Sequence, residues 1–266
     1  MQHICKNCAT SFDGYFCSKC GQKAYKKIDK KYITDEIQYA IIHTNKGFLY
    51  SIKRIIQNPG KTAREFIDGN RVNHYKPIGL LFILSGISSF ISFKLIKMDK
   101  IMQAGFQEKK MSSNFMMDFT NNMSSYSSLW MIFLVPIFAF CTWLVLKKWG
   151  NNYYEHVVMN AYVLCATTLV AIFITSPAMY FMRNNGYWFE KLSQLSIVAM
   201  LAMYFWFFKG FYHEKSGKTI VANTLLINLF IIVSYFAIIF AIVIIYAIVY
   251  GIMHGSEELL QYIKPS

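Results

Sequence analysis

Four cysteines near the start of the chain have the spacing of a metal site. They form two Cys-x-x-Cys pairs, Cys5 with Cys8 and Cys17 with Cys20, separated by eight residues. Two such turns place four thiolates at the corners of a tetrahedron, the geometry that zinc prefers in closed sites. Rubredoxin-like iron accepts the same ligands and stays an alternative. The spacing therefore predicts a small zinc ribbon over residues 1–22, with a structural rather than a catalytic ion.

The residues around the cysteines fit such a ribbon. Gly21 follows the second pair and suits a tight turn whose backbone N–H groups point at the thiolates, whereas Ala9 stands at the equivalent place after the first pair. About 20 residues cannot build a core, so we expect metal binding to fold the segment. Asp13-Gly14 predicts a hairpin turn. The aromatic residues expected to cover the metal are Phe12, Tyr15 and Phe16.

A second group of residues could do acid–base chemistry. Glu155-His156 opens one apolar run, and His213-Glu214 lies in a later loop predicted to face the same side. With His74, these side chains would form a polar site at the cytoplasmic face, because an acid beside a histidine can transfer protons. Helix capping explains the same residues without catalysis, and the chain has no HExxH, Gly-x-Ser-x-Gly or glycine-rich phosphate loop. We therefore assign no catalytic residue, and the balance is against an enzyme.

The composition indicates a membrane protein. The chain is 55% hydrophobic and 15% charged, whereas a soluble domain carries about 25% charge. A span needs about 20 mostly apolar residues. Five runs meet that need, at 77–96, 129–146, 157–181, 192–208 and 220–252. The predicted fold class is an all-α polytopic membrane protein, with a zinc ribbon, basic amphipathic juxtamembrane helices over 23–76 and a transmembrane helical domain over 77–266.

The spans themselves carry few chemical signals. Their interiors lack charged residues, which argues against a proton-coupled transporter. The last run is too long for one perpendicular crossing, so it should tilt or extend out of the bilayer. The polar residues expected to form interhelical hydrogen bonds are Asn160, Thr167, Thr168, Asn223 and Asn228.

The net charge of +13 is concentrated ahead of the first span. Residues 1–76 carry 14 Lys and Arg against 6 Asp and Glu. This excess places the N-terminus in the cytoplasm, and five spans then leave the C-terminus outside. Basic groups near a bilayer meet anionic lipids, and nucleic acid is the less favoured partner. The residues expected to contact lipid or a protein partner are Lys23, Lys26, Lys27, Lys30, Lys31, Lys53, Arg54, Arg71 and Lys76.

Two amphipathic helices are predicted between the ribbon and the first span. One begins at Thr34 and ends at the Asn58-Pro59-Gly60 turn, and the other runs from Thr62 to Asp68. Both are too polar to span a bilayer, and each has one apolar face. They are therefore expected either to lie in the membrane interface or to pack under the spanning bundle as a collar.

Several short segments carry a family resemblance. Cys5 to Gln22 is followed by Lys46-Gly47-Phe48, by Asn58-Pro59-Gly60-Lys61, and by Asp68-Gly69-Asn70-Arg71 leading to Pro77. In this order they resemble an uncharacterised bacterial multi-span membrane family, a domain of unknown function with an N-terminal zinc ribbon. The resemblance covers residues 1 to about 95 and implies an inner-membrane protein, but no activity. The five-span plan is also similar to that of Yip1-like proteins, at the level of the fold alone.

Three functions are consistent with these features. The first is a membrane-anchored adaptor, whose ribbon recruits a cytosolic protein to the bacterial inner membrane. The second is a channel or membrane-permeabilising effector formed by a homo-oligomer. The third is a lipid-modifying enzyme that uses Glu155, His156 and His213.

Overall fold

The computed structural model describes residues 2–24, 29–30, 33, 47–108 and 114–255 of the chain. The first described elements are two short strands, β1 (Gln2–Ile4) and β2 (Ser11–Asp13), paired antiparallel with His3 opposite Phe12. The predictions for Lys26, Lys27 and Lys31, and for the first part of the helix from Thr34, lie outside the described residues.

Two helices precede the first span, α1 (Phe48–Gln57) and α2 (Pro59–Ile67). Asn58 ends α1 and also caps α2, because its side chain accepts a hydrogen bond from the Lys61 N–H at 2.9 Å. Pro59 then occupies the first helical position, where its missing N–H costs nothing. The Asn-Pro-Gly segment therefore starts α2 as well as ending α1, and α2 begins three residues earlier than the sequence predicts.

The remaining helices form the membrane body. They are α3 (Pro77–Phe90), α4 (Met98–Glu108), α5 (Asn114–Ser125), α6 (Ser127–Leu146), α7 (Tyr153–Val170), α8 (Ser176–Met182), α9 (Gly186–Phe211) and α10 (Gly217–His254). Five stretches are long and apolar enough to cross a membrane, namely Pro77–Leu95, Ser127–Trp149, Tyr153–Met182, Gly186–Phe211 and Gly217–Ile252. The predicted all-α polytopic fold with five spanning helices is confirmed.

Helix α7 is the centre of the body. Its residues from Glu155 to Ala166 are all buried, and α2, α3 and α6 pack around it. Side chains from α2 and α7 meet directly, with the rings of Phe66 and Tyr162 5.9 Å apart. The buried face of α2 also packs on the end of α9. The two juxtamembrane helices thus pack on the body as a collar.

Wide π-helical turns interrupt two spans. One continues α3 over Ile91–Leu95, and the other joins α7 to α8 over Ala171–Thr175. The second comes just before Pro177, which lacks the N–H needed for a regular helical bond. In it, the Thr175 hydroxyl donates to the Val170 carbonyl at 3.3 Å. The change in helix geometry therefore coincides with the proline in this span.

The last helix is far longer than one bilayer crossing. Its 38 residues extend for about 57 Å, against a hydrocarbon core of about 30 Å. Near its far end, Tyr246 packs on Phe115 of α5, with the ring centroids 5.5 Å apart. Helix α5 therefore contacts α10 near the far end of that long helix.

Candidate metal centre and its docking onto the membrane body

Two equivalent backbone turns build the metal centre. In the first, the Ala9 N–H donates to the Cys5 carbonyl at 2.9 Å, and in the second the Gly21 N–H donates to the Cys17 carbonyl at 2.8 Å. Ala9 (φ 57°) and Gly21 (φ 72°) both have the left-handed backbone that favours glycine. Alanine at position 9 is therefore strained at the position where the sequence pattern favours glycine.

The four sulfur atoms lie close enough to bind one ion. All lie within 4.8 Å of one another, with 3.6 Å between the Sγ atoms of Cys5 and Cys20 and 3.7 Å between those of Cys8 and Cys17. Four thiolates at about 2.3 Å from a central zinc are about 3.8 Å apart in a tetrahedron. The four cysteines are free thiols. The cluster therefore has the geometry to bind a metal ion.

The surroundings of the four thiols shift their pKa values in different directions. The side chain of Thr10 lies 3.3 Å from the Cys8 Sγ, and its hydrogen bonding lowers the pKa of Cys8 to about 6. Hydrogen bonding to the Asn7 side chain lowers the pKa of Cys20. Burial raises the pKa of Cys5 to about 11. Because a metal binds the thiolate, a bound cation would offset the cost of ionising Cys5.

Of the three aromatic residues predicted to cover the metal, one packs against the cysteines. Phe12 is buried and packs with Cys5 and Cys17. Tyr15 and Phe16 are 81% and 61% exposed, so the expectation that they cover the metal is wrong. They follow the turn at Gly14, whereas Phe12 occupies the inward position of β2. The two rings therefore face outward from the ribbon.

The ribbon docks onto residues 68–76, which we call the junction loop. The Gln22 side-chain amide donates through Nε2 to the Gly69 carbonyl, and its Oε1 accepts from the Arg71 N–H at 3.3 Å. A second contact joins Asn73 Nδ2 to Asn7 Oδ1 at 2.8 Å. Gln22 is only 5% exposed, so its two bonds are shielded from water. The ribbon is thus attached at the entrance to the first span.

Gly69 allows the ribbon and the junction loop to approach each other closely. Its φ of 111° lies in the region that favours glycine, and a Cβ there would be 3.3 Å from the Lys6 side chain. A side chain at this position would therefore strain the backbone and crowd the ribbon.

Arg71 connects the junction loop to α2. Its guanidinium donates to the carbonyls of Phe66 (3.0 Å) and Ile67 (3.3 Å), at the C-terminal end of that helix. Those carbonyls lack partners within the helix and carry partial negative charge. Further along the loop, the Tyr75 N–H donates to Ser51 Oγ of α1 at 2.7 Å. The loop is therefore bonded to both collar helices.

His74 is buried between the collar helices. Its ring lies 5.2 Å from that of Tyr50 and 6.2 Å from that of Phe66, and neither ring nitrogen has a hydrogen-bond partner among the described residues. The Glu65 carboxylate lies 4.0 Å from His74 Nε2, and both of its oxygens accept from Nη2 of Arg54 at 2.7 Å. Burial lowers the pKa of His74 to about 4. The histidine is therefore neutral at neutral pH.

The described residues among those predicted to contact lipid or a partner differ in their exposure. Lys23, Lys30 and Lys53 are exposed. Arg54 and Arg71 instead use their guanidinium groups inside the protein, on Glu65 and on the end of α2. Lys76 is half-buried beside the first span.

The four residues of the predicted polar site lie in different surroundings. His74 is enclosed by the collar, and His213 is exposed beside Glu214. Glu155 forms a capping box at the start of α7, where its carboxylate accepts from the Asn152 N–H at 2.9 Å. His156 Nδ1 lies 3.1 Å from the Thr142 hydroxyl of α6. Capping, the alternative considered for these residues, accounts for Glu155.

A buried polar network joins three spans around Asn160. Its Nδ2 donates to the Thr142 hydroxyl at 2.8 Å, and its Oδ1 accepts from the Tyr204 hydroxyl at 3.2 Å. His156 Nδ1 contacts the same Thr142 hydroxyl. Asn160 thus makes the interhelical hydrogen bonds that the sequence predicts for it, and Asn228 of α10 likewise donates to the Leu201 carbonyl of α9. Thr167, Thr168 and Asn223 instead donate to carbonyls of their own helices, as short polar side chains in helices often do.

Sequence reasoning missed Gln22 as a docking residue. Gln22 directly follows Gly21 and is the last residue of the segment that carries the ribbon resemblance. This position was the one signal in the sequence that could have indicated its role. Its partners lie 47 and 49 residues further along the chain, and no local pattern indicates such a pairing.

The segment onto which the ribbon docks matches a known family model. Residues 45–89 match a family model described as a protein of unknown function (DUF3667). The match includes α1, α2 and the junction loop and ends within α3, and it leaves the four cysteines outside. No curated protein and no solved structure matches the chain.

Proposed function

We propose that the chain is a membrane-anchored adaptor whose zinc ribbon recruits a cytosolic protein to a bacterial inner membrane. The proposed ion is zinc, because a closed set of four thiolates in a small ribbon is its usual structural site, and rubredoxin-like iron is the alternative with the same ligands. The basic head supports a cytoplasmic N-terminus, since Lys and Arg are retained on that side.

The main support for this proposal is the way in which the ribbon is attached, because its exposed residues remain available to a partner. Gln22 attaches one side of it to the junction loop. The rings of Tyr15 and Phe16 remain exposed, as does Ile4, which is 71% exposed. Lys6 and Lys19 are exposed on the same small unit. This combination suits a protein surface with apolar residues and acidic neighbours.

The other two hypotheses gain less support. The buried side chains of α7 fill the centre of the described body, so a pore would need several copies of the chain. A lipid-modifying enzyme would need Glu155, His156 and His213 to act together. Glu155 is bonded in a helix cap, and His156 and His213 have different neighbours.

The test is recovery of a cross-linked protein with the full chain from intact cells. Substituting both Tyr15→Ser and Phe16→Ser should abolish recovery of a specific protein, because the exposed rings are removed while the cysteines and Phe12 stay. Tyr187→Ser with Trp188→Ser, two exposed rings at the start of α9, is the matched control and should retain it. Equal recovery with the ribbon variant would refute the adaptor proposal, and loss after nuclease treatment would show a nucleic-acid partner instead.

A further inference from the structure

A cleft opens where α2 meets the end of α9, on the side of the body that carries the ribbon. Its volume is about 560 Å³, and its walls include Lys61, Arg64, Lys209 and His213. Residue 61 precedes the first span and residues 209–213 lie at the end of the fourth, so both walls lie on the same side of the spanning helices. Three permanent cations and a histidine therefore converge on one opening.

Two of these cations are available to a ligand. Among the described residues, the ammonium groups of Lys61 and Lys209 have no hydrogen bond or ion pair. The acidic residue in the wall, Glu65, accepts from Nη2 of Arg54 through both carboxylate oxygens. Arg64 is shared between Asp68 at 3.2 Å and Glu214 at 3.7 Å. The cleft therefore presents two positive charges, those of Lys61 and Lys209, that no partner within the described residues neutralises.

An apolar groove adjoins this cleft at Trp206 of α9. Its volume is about 240 Å³, and its walls include Ile56, Leu169, Phe173, Ile174 and Met203. Trp206 forms part of the wall of both the groove and the basic cleft. Phe173 and Ile174 belong to the π-helical turn after α7 and are exposed. An apolar ligand segment in the groove would therefore pack beside a polar segment in the cleft.

The order of residues on α9 sets the direction of such a ligand. Met203, Trp206 and Gly210 recur at three- and four-residue spacing, so they lie along one side of the end of α9, and His213 follows just beyond the helix. From Met203 to Gly210 the helix rises by about 11 Å. The wall thus changes from apolar to aromatic to basic towards the helix end, which is the order of a bilayer leaflet from its acyl chains to its headgroups.

From this arrangement we infer that the body binds one anionic phospholipid, with its phosphate between Lys61 and Lys209 and an acyl chain in the groove beside Trp206. A soluble phosphate would use the same cations but would leave the groove unused. Basic pockets beside spanning helices suit anionic headgroups, and the adjoining apolar groove favours the lipid over a free anion.

The experiment measures lipid-dependent thermal stabilisation of the full chain in mild detergent. Phosphatidylglycerol should raise the melting temperature in a saturable way, whereas phosphatidylcholine and inorganic phosphate should not. Lys61→Gln with Lys209→Gln should weaken the apparent affinity by about 30-fold, since two surface cations are lost. Trp206→Ala should also weaken binding of phosphatidylglycerol.

The matched control is a second pair of lysines, Lys97→Gln with Lys100→Gln, in a basic cleft between the end of the first span and the loop after the third. This variant should bind phosphatidylglycerol as the wild type does. Three results would overturn the inference: equal stabilisation by phosphatidylcholine, equal affinity of the Lys61 and Lys209 variant, or an equal shift with inorganic phosphate alone.

Discussion

At the residue scale, His74 is the junction-loop side chain whose chemistry is most altered by the fold. The collar encloses its ring beside Tyr50 and Phe66, and burial lowers its pKa from 6.5 to about 4. Glu65 favours the charged form and Arg54 opposes it, but desolvation outweighs both. The sensitivity of the junction to acid therefore follows from packing more than from charge pairing.

The fold should lose stability as the pH falls below 6.5. Above that value His74 is neutral in both states, and below it the unfolded chain takes up a proton that the folded chain resists until about pH 4. This difference costs about 2 kcal/mol at about pH 5. His74→Leu keeps an apolar contact and removes the titration, so its melting temperature should fall less than that of the wild type between about pH 7.5 and about pH 5. Parallel declines in the two proteins would contradict this account.

At the element scale, the collar and the body meet at a glycine crossing between α2 and α9. A Cβ on Gly60 would overlap the Phe207 carbonyl oxygen and lie 2.6 Å from the Phe211 nitrogen. On the other helix, a Cβ on Gly210 would overlap the side chain of Asn58. The Pro-Gly pair of the matched segment thus serves both to begin α2 and to bring its backbone against α9.

Gly60→Ala should separate α2 from α9, because the atoms that a new methyl group would meet belong to the backbone and cannot rotate away. Overpacking of this kind costs about 1–3 kcal/mol or more. The melting temperature in mild detergent should fall by several degrees. Gly86→Ala in α3 is the matched control, since its Cβ would meet nothing within 4 Å, and it should leave the melting temperature unchanged or slightly raised. A Gly60 variant as stable as this control would show that the helices are not in close contact.

Local patterns in the sequence predict the parts of this molecule that depend on local chemistry. The cysteine spacing predicts the metal cluster, since each turn is made by four consecutive residues. Hydrophobic length predicts the five spanning helices, because the bilayer imposes it. Contacts between distant segments are different: the Gly60–Phe207 approach and the Gln22–Arg71 bond depend on how whole elements pack.

At the scale of the whole molecule, the metal centre and the first span are connected through a few bonds. The cysteine turns position Gln22, Gln22 binds the junction loop, and Arg71 connects that loop to the end of α2. Helix α2 in turn packs on α7 and α9, at the centre of the body. A partner bound to the ribbon would therefore be held close to the membrane body rather than on a free tether.

The most direct test of this connection is hydrogen–deuterium exchange of the full chain with and without a zinc chelator. The Arg71 N–H donates to Gln22 Oε1, so its exchange reports whether the ribbon is docked. Metal removal should unfold the ribbon and speed exchange in peptides that contain Arg71, while peptides from α7 stay protected. Gln22→Ala should produce the same increase with the metal still bound. Unchanged exchange at Arg71 after the metal is removed would contradict the claim that a metal-held ribbon is docked onto the junction loop.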